Sequence, residues 1–450
     1  MADDSSQQAS DKAPYRHPID WKHPDFFNQE KLDQEMERVF DICHTCRRCV
    51  SLCHSFPTLF DLIDESPTME LDSVNKKDFQ KVVEQCFLCD LCFMTKCPYV
   101  PPHEWNVDFP HLMLRGKVVH FQESGASLRD RTLTSTDLLG KLAGIPVVSE
   151  MINRINKSPK VRSSMEKAIG IAKDAPLPPF AETLAKQRLR ELLPTIGVQS
   201  SEAGEKTTGK VALFSACYGE HNDPDIVLDL ARVYAHNNIQ LTSVEKQHCC
   251  GMPKLELGDL HAVERAKQAN IPQLLELVNS GYDIVAPIPS CVLMFKNELP
   301  LLFPDDEDVQ RVRRHLFDPM EYLSLRLQEG LLRTDFQHSL GKVTHHAACH
   351  QRVQNIGSRA REILSLVPET EVEVIERCSG HDGTYTVKAE FHAFACKIGK
   401  PVANQMREAH PDHWGSDCPL AATQIEKLWG EGAPSPQTPW RMLAYAYGLV

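Results

Sequence analysis

The chain has 450 residues, of which 42% are hydrophobic and 24% charged, and its formal net charge is −12. The length favours several domains, and the acidic balance argues against a nucleic-acid partner, which needs a basic face. No uncharged apolar run approaches the length of a transmembrane helix, and the first residues lack the pattern of a secretory signal. Sixteen cysteines in such a chain indicate metal ligands rather than disulfides. We therefore expect a cytoplasmic protein whose membrane contact is at most peripheral, at the inner face.

The N-terminal third of the chain is predicted to be helical. Residues 1–28 are polar and lack periodicity, which predicts a flexible tail. Helical spacing of apolar residues follows over Gln29–Asp41, and a second short helix is predicted at Lys76–Gln85. Each of these helices leads into a group of four cysteines. This arrangement favours an α-helical ferredoxin-type domain over residues 29–139.

The spacing within the two cysteine groups is typical of iron–sulfur ligation. Three thiolates from one short loop close on one cube, and the fourth comes from the other group. Zinc is usually held by two separated pairs instead, and structural zinc or unconnected thiols are the alternative interpretation. The predicted 4Fe–4S clusters take Cys43, Cys46, Cys49 and Cys97 in the first and Cys86, Cys89, Cys92 and Cys53 in the second. Two such clusters in one domain predict single-electron transfer.

Residues 140–208 are predicted to form a helical connector and linker, with helix through Ile152–Ile171. Beyond it the chain repeats itself. The segment from Gly209 to Cys217 recurs from Gly341 to Cys349, an offset of 132 residues (341 − 209). The later landmarks are Cys249, Cys250 and Cys291 in one unit and Cys378, Ser379 and Cys418 in the other. Two related units, residues 209–333 and 334–450, are therefore predicted.

Each unit alternates strand and helix, as in a parallel sheet with crossover helices. The strands predicted in the first unit are Val211–Phe214, Ile239–Val244 and Tyr282–Ile288, and the helices are Asp225–His236 and Leu260–Asn279. Cysteines follow each strand, so their thiols should meet at the carboxyl edge of the sheet. The predicted fold is a multidomain α and α/β protein, in which an α-helical two-cluster ferredoxin domain precedes two repeated α/β cysteine-rich units.

The first repeat offers four thiols for a third iron–sulfur cluster, namely Cys217, Cys249, Cys250 and Cys291. A redox-active pair at Cys249 and Cys250, or buried thiols without a metal, are the alternatives.

The second repeat has only three thiols, Cys349, Cys378 and Cys418, and predicts an incomplete site. Its fourth position is open to a substrate or quinone, or is filled by a histidine, the candidates being His345, His346, His350 and His381. Alternatively, this degenerate unit only packs against its twin. Cys396 is interpreted as part of the hydrophobic core. The sequence has no phosphate-binding glycine-rich motif after a strand, so the chain itself is not expected to bind a flavin or a nicotinamide.

Together these landmarks resemble the iron–sulfur subunit family of anaerobic glycerol-3-phosphate dehydrogenase (its C subunit), glycolate oxidase and heterodisulfide reductase, over about residues 35–450. The resemblance rests on the two ferredoxin motifs and the paired Cys…Cys-Cys-Gly…Cys repeats, and the segment Glu376–Tyr385 is most like the glycerol-3-phosphate dehydrogenase branch. The reductase motif ends in Cys-x-x-Cys, whereas Met294 and Ala421 stand at those final positions here. The departure favours simple electron relay over disulfide reduction.

The resemblance implies an electron-transfer subunit that relays electrons between a flavoprotein dehydrogenase partner and quinone or another acceptor. Substrate oxidation is then expected on the partner chain. Two alternatives remain open. The chain is either a reductase component for a rubrerythrin-like peroxide-handling protein, or a self-contained disulfide or quinone reductase acting at the cysteine-rich repeats.

Overall fold

The computed structural model describes residues 14–144, 146–198 and 201–450. Residues 1–13 of the predicted tail, together with Gln199 and Ser200 of the predicted linker, lie outside the described residues. The described chain forms an N-terminal helical part, a helical connector and two α/β units with small parallel sheets.

The N-terminal part is built from four helices, α1–α4, at Gln29–Cys46, Ser55–Asp64, Phe79–Glu84 and Phe109–Ser124. Helix α1 begins where the Asn28 side chain accepts from the Lys31 amide, and it ends at Arg47, which adopts a left-handed conformation. The helix thus continues past the predicted end at Asp41 to include the first two cysteines. Phe40 packs against Phe79 and Phe109, which joins three of the helices in one core.

The segment before α1 differs from the flexible tail predicted for residues 1–28. From residue 14 onward it packs against the rest of the chain. Trp21 is 2% exposed, and its indole Nε1 donates to the carbonyl of Leu302, 3.1 Å away. The Ile19 amide donates to the Leu301 carbonyl at 2.8 Å. The segment is mostly polar and buries only a few side chains. Its composition therefore did not predict these contacts.

The connector contains helices α5–α9, at Leu128–Leu133, Thr136–Ala143, Pro146–Asn156, Pro159–Ile169 and Ala185–Ile196. The inner faces of two of them are polar. On α7, Asn153 exchanges hydrogen bonds with the backbone of Phe180, while Val147 and Met151 are exposed. On α8, buried Arg162 donates to the carbonyls of residues 172, 173 and 175. Hydrogen bonds therefore hold these helices more than apolar burial does.

The sheets of the two α/β units share the order of their first three strands, and the first sheet has a fourth strand. Strands β1–β4 are Lys210–Leu213, Gln240–Ser243, Asp283–Val285 and Leu316–Phe317, in the spatial order β2-β1-β3-β4. Strands β5–β7 are Gly341–His346, Thr370–Ile375 and His413–Ser416, in the order β6-β5-β7. All pairings are parallel, and in both sheets the first strand lies between the second and the third. The predicted repeated α/β units are thus confirmed.

Crossover helices cover the sheets. The first unit contains α10–α17, at Ala216–His221, Pro224–His236, Met252–Leu257, Leu260–Asn279, Pro289–Leu293, Leu299–Leu302, Glu307–Arg314 and Pro319–Gln328. The second contains α18–α22, at Cys349–Arg352, Arg359–Leu364, Ala389–Glu408, Pro419–Trp429 and Pro439–Ala446. Within the described part of the chain, no helix combines the length and the apolar character that crossing a membrane requires.

Candidate metal centres

Four cysteines of the N-terminal part line one small cavity of about 20 Å³. They are the four assigned to the first predicted cluster, Cys43, Cys46, Cys49 and Cys97. Burial raises the pKa of Cys43 well above its usual range, and the thiols of Cys97, Cys49 and Cys46 raise it further. Burial and the thiols of Cys97 and Cys46 raise the pKa of Cys49 to about 12. With pKa values raised in this way, the Cys43 and Cys49 thiols stay protonated unless a cation neutralises their charge.

The second set brings Cys53 to the cysteines of the later group. Burial raises the pKa of Cys53, and the next contributions come from Cys86 and Cys89. Burial also raises the pKa of Cys92, to which Cys86, Cys89 and Cys53 contribute next, followed by Cys49 of the first set. The thiols of Cys53, Cys86, Cys89 and Cys92 therefore lie near one another, and the contribution of Cys49 places them next to the first set.

The loop around Cys89 has an unusual backbone. Leu88 and Asp90, on either side, have positive φ angles of 52° and 62°. Asp90 is 5% exposed, and Arg16 donates to both of its carboxylate oxygens at 2.7 and 2.8 Å. This bidentate ion pair fixes the loop. Sequence reasoning missed it, because 74 residues separate Arg16 from Asp90.

In the first repeat the cysteines follow the carboxyl ends of three parallel strands, and their thiols interact in a row. The neighbouring thiols of Cys217 and Cys250 lower the pKa of Cys249 well below its usual range. Cys249 in turn raises the pKa of Cys217, while Cys249 and Cys291 raise that of Cys250. The four thiols of this repeat therefore lie near one another beyond the carboxyl ends of the strands. The Cys249 amide donates to the Asp137 carboxylate of α6 at 2.9 Å, so the connector also supports this site.

In the second repeat the three predicted thiols do not form one group. The nearest thiols to Cys349 are Cys378 and Cys89, which raise its pKa. Cys89 belongs to the second N-terminal set, so that set adjoins the repeat. Burial raises the pKa of Cys418 to about 11, and the thiol that contributes there is Cys291 of the first repeat. Cys349 and Cys378 thus lie beside the second N-terminal set, whereas Cys418 lies beside the first repeat. Sequence spacing does not reveal this division.

A cavity of about 130 Å³ lies where the N-terminal part and both repeats meet. Six cysteines from these three regions line it, Cys89, Cys217, Cys250, Cys291, Cys349 and Cys418. Ser290 Oγ of the first repeat lies 2.8 Å from His350 Nδ1 of the second, across the junction. Thiols of every predicted site except the first N-terminal set therefore line this one cavity.

The histidines predicted as candidate ligands have different surroundings. Both ring nitrogens of His346 have partners, Ser416 Oγ and the carbonyl oxygen of residue 377, each at 2.8 Å. His345 Nε2 lies 3.0 Å from Asp417 Oδ2. His350 and His381 line the cavity, and burial lowers the pKa of His381 to about 4 and that of His350 as well. Neutral imidazoles therefore face the cavity, and His346, which also lines it, is already bonded at both ring nitrogens.

Two carboxyl groups also line the cavity and were not predicted. Burial raises the pKa of Asp382 to about 7, against the opposing charges of Lys117 and Lys388. Burial and the Asp382 charge raise the pKa of Glu256 well above its usual range. Both side chains also line a smaller pocket that Lys117 and Lys388 border. The sequence carried no signal for this pair, because the two residues come from different repeats.

The donor chemistry fits iron–sulfur clusters. Around the first N-terminal cavity the metal-binding groups are thiols alone, as such clusters require. Among the residues that the structure describes, no three His, Cys, Asp or Glu side chains converge as ligands of a single ion would. In a cube each thiolate binds its own iron, so the thiolates surround a volume instead of meeting at a point. Cys396, interpreted as core, is half-buried in α20 with its Sγ 3.5 Å from His392 Nε2.

Comparison with known proteins places the repeats in a family. The family model "CCG: Cysteine-rich domain" matches residues 211–296 and again 343–426. The chain is 25% identical over 302 residues to the C subunit of anaerobic glycerol-3-phosphate dehydrogenase from Escherichia coli, and the alignment covers 67% of this chain and 73% of the relative. These findings confirm the resemblance to that branch and the pair of cysteine-rich repeats.

Two further relatives align over shorter stretches. The B subunit of the fumarate reductase (CoM/CoB) from Methanothermobacter marburgensis is 25% identical over 228 residues, 50% of this chain and 43% of the relative. Lactate utilization protein A of Bacillus cytotoxicus is 29% identical over 184 residues, 40% of this chain and 75% of the relative.

Proposed function

The chain carries the CCG-type cysteine-rich domain twice, and from this premise we propose that it is an iron–sulfur electron-transfer subunit of an oxidoreductase. The observation that supports the proposal most is the grouping of eight N-terminal thiols into two adjacent sets, the second of which adjoins the cavity between the repeats. Each set would hold one 4Fe–4S cluster, which accepts and releases one electron at a time when bound.

In this proposal, Cys43, Cys46, Cys49 and Cys97 hold the first cluster and Cys53, Cys86, Cys89 and Cys92 the second. Aromatic side chains pack beside the second set. Phe87 and Tyr385 lie 4.5 Å apart between ring centroids, and Phe391 stacks on Tyr385 at 4.6 Å. The Tyr385 hydroxyl donates to Gln85, next to Cys86, so this aromatic group also joins the second repeat to the N-terminal domain.

The repeats supply the other end of the path. Cys217, Cys249, Cys250 and Cys291 are proposed as ligands of a further iron–sulfur cluster, and Cys349 lies between Cys378 and Cys89. The thiol sets then form a continuous series from the N-terminal surface to the interior of the chain. This geometry suits a relay better than isolated structural metal sites.

The relatives suggest what the relay connects. Their names describe subunits of a glycerol-3-phosphate dehydrogenase and of a fumarate reductase, so a partner chain that oxidises or reduces a small substrate is proposed here. The partner would be a flavoprotein dehydrogenase, and the other end quinone or a similar acceptor, with the chain in the cytoplasm or peripheral at the membrane. A rubrerythrin-like protein is the alternative partner, and affinity purification from the native cell distinguishes the two.

Iron analysis with electron paramagnetic resonance (EPR) of anaerobically purified protein tests the proposal. We expect at least about eight irons per chain, four for each N-terminal cluster, and an interaction between the reduced clusters because the two sets are adjacent. Cys46→Ser should remove about four irons and that interaction, whereas Cys396→Ser, outside every set, should remove none. Fewer than about eight irons in the unmodified protein would contradict the two-cluster proposal.

The central cavity favours a second candidate, a reductase that acts there on a disulfide or quinone. The cavity holds about 130 Å³ and combines thiols with three histidines and two carboxyl groups. Turnover of such an acceptor with a chemical electron donor, in the absence of any partner protein, would support it. Equal turnover after Cys250→Ser would place the reaction elsewhere.

A further inference from the structure

A groove of about 940 Å³ separates the N-terminal helical domain from the second repeat. Its lining includes Cys53, a thiol of the second N-terminal set, and Cys378, the neighbour of Cys349. His54 and Phe394 stack across it with ring centroids 3.7 Å apart, so each domain contributes one ring to the groove. The groove therefore brings solvent close to two of the proposed redox centres.

The groove is basic although the chain carries a net charge of −12. Four cations line it, Lys96, Arg352, Arg377 and Lys397, against two carboxylates. Arg352 forms an ion pair with Glu376 at 3.2 Å. Within the described ranges, the other three cations have no carboxylate within ion-pair distance. Unpaired charge at a rim raises the local potential and remains available to a partner.

The basic character continues to the first thiol set. Lys96 lines both the groove and the small cavity of Cys43, Cys46, Cys49 and Cys97, and Arg48 lines that cavity as well. Neither Arg48 nor Lys96 has an ion-pair partner in the part of the chain that the structure describes. One face of the molecule thus combines the openings toward both thiol sets with uncompensated positive charge.

We propose that this basic groove is the docking site of an acidic protein that exchanges electrons with the chain. The inference rests on the proposed function and names the chemistry of the partner. Charge complementarity selects the occupant, because this groove carries four cations against two carboxylates although the chain as a whole is negative. Docking here places the partner's redox group against Cys53 and Cys378.

The distribution of the cations favours a protein over a small anion. Arg377 and Lys397 are exposed and belong to a loop and to α20 of the second repeat, whereas Lys96 belongs to the N-terminal domain. They belong to two domains on either side of a groove of about 940 Å³, and not to one phosphate-binding loop. Positive charges separated in this way suit the extended acidic surface of a protein.

Flavodoxin, a small acidic one-electron carrier, is a direct probe. Its binding to the full-length protein can be followed at low ionic strength by fluorescence anisotropy of a labelled sample. We expect the double variant Arg377→Glu and Lys397→Glu to weaken binding at least about tenfold. The matched control is Lys206→Glu with Lys246→Glu, two exposed lysines of the connector and the first repeat, which should change binding by less than about twofold.

Added salt should weaken binding to the unmodified protein and have little effect on the groove variant. Equal weakening in both double variants, or binding that salt does not change, would overturn the inference. It would also be overturned if phosphate displaced flavodoxin far better than chloride at equal ionic strength, since the groove would then be a small-anion site. The proposed function is judged separately, by iron content and EPR. Absent clusters contradict that function, whereas intact clusters with charge-insensitive binding contradict only the docking site.

Discussion

Arg16 stabilises the loop that presents Cys89 by neutralising Asp90. Side-chain exposure is 11% for Arg16 and 6% for Asp90, so the pair is nearly buried. Burial raises the pKa of Asp90, and Arg16 opposes that rise. We expect Arg16→Met to lower the free energy of unfolding by about 3–5 kcal/mol, because it leaves a buried carboxylate without its partner. Denaturant unfolding of the anaerobic protein measures the loss.

A double-mutant cycle separates this charge effect from lost packing. Asp90→Asn retains a side chain that tolerates the left-handed backbone at this position. If the unpaired charge is the main cost, Arg16→Met with Asp90→Asn should regain at least about 1 kcal/mol relative to Arg16→Met alone. If the losses in unfolding free energy of the two single variants add up in the double variant, the two side chains act independently.

His111 makes stability depend on pH. Its ring nitrogens lie 3.1 Å from Asp108 and 3.3 Å from Glu298. Burial lowers the pKa of His111, but the two carboxylates outweigh burial and raise it to about 9. The folded-state pKa thus exceeds the unfolded value of about 6.5, so the stabilisation is complete below pH 6.5 and is lost as pH rises through 9. We expect a loss of about 3 kcal/mol over this interval.

Thermal unfolding of the anaerobic protein between pH 6 and 9.5 checks this effect. In the unmodified protein the midpoint should fall as pH rises, whereas His111→Gln should flatten that part of the curve while lowering the midpoint at pH 6. The same slope in both proteins would assign the pH dependence to other groups.

At the scale of elements, a glycine in each repeat lets the cysteine loop approach its supporting helix. Gly251 and Gly380 occupy equivalent positions and have φ angles of 100° and 73°. A Cβ at Gly380 would lie 2.0 Å from the carbonyl oxygen of Ala395 in α20. We expect Gly380→Ala to cost about 2–5 kcal/mol of unfolding free energy, since backbone strain and a steric clash combine.

Gly432→Ala is the matched control in the same repeat. Gly432 has a φ of 83°, but no atom lies within 4 Å of the Cβ position. Only the strain should remain, about 1–2 kcal/mol. Thermal midpoints of the two variants test the comparison, and equal shifts would show that the contact with α20 relaxes without cost.

Several elements could be predicted from periodicity and end signals. Leu260–Asn279 was predicted with both ends correct, since Asp259 caps its first turn and its apolar residues follow helical spacing. The part predicted to be helical, Ile152–Ile171, is helical over most of its length but is not one helix. It is divided between α7 and α8, because Pro159 occupies the first position of α8 and has no amide to continue α7.

The candidate site was predictable only where it is local in sequence. Cysteine spacing predicted the two N-terminal sets, and the strand ends predicted the group in the first repeat. The approach of Cys349 to Cys89 depends on how the domains pack, and so does the pairing of Asp382 with Glu256. Neither contact leaves a pattern in the sequence, because the partners are more than a hundred residues apart.

At the scale of the whole molecule, the segment before α1 joins two domains. Arg16 binds Asp90 and Asp108 in the N-terminal domain, and it also approaches Glu298 in the first repeat at 3.6 Å. Trp21 packs against Phe303, with its indole bonded to Leu302. The segment therefore fixes the N-terminal thiol sets relative to the repeats, on which the proposed path depends.

Trp21→Ala tests this coupling. Loss of a buried tryptophan should cost about 3–5 kcal/mol, and the cost should fall on the junction between domains. We expect calorimetry to show one transition in the unmodified protein and two in the variant, because the N-terminal domain no longer unfolds together with the first repeat. Tyr15→Ala, at a side chain 49% exposed in the same segment, should leave one transition. A single transition in Trp21→Ala, shifted to lower temperature, would mean that the remaining interface, including the contact of Tyr385 with Gln85, couples the domains without the segment.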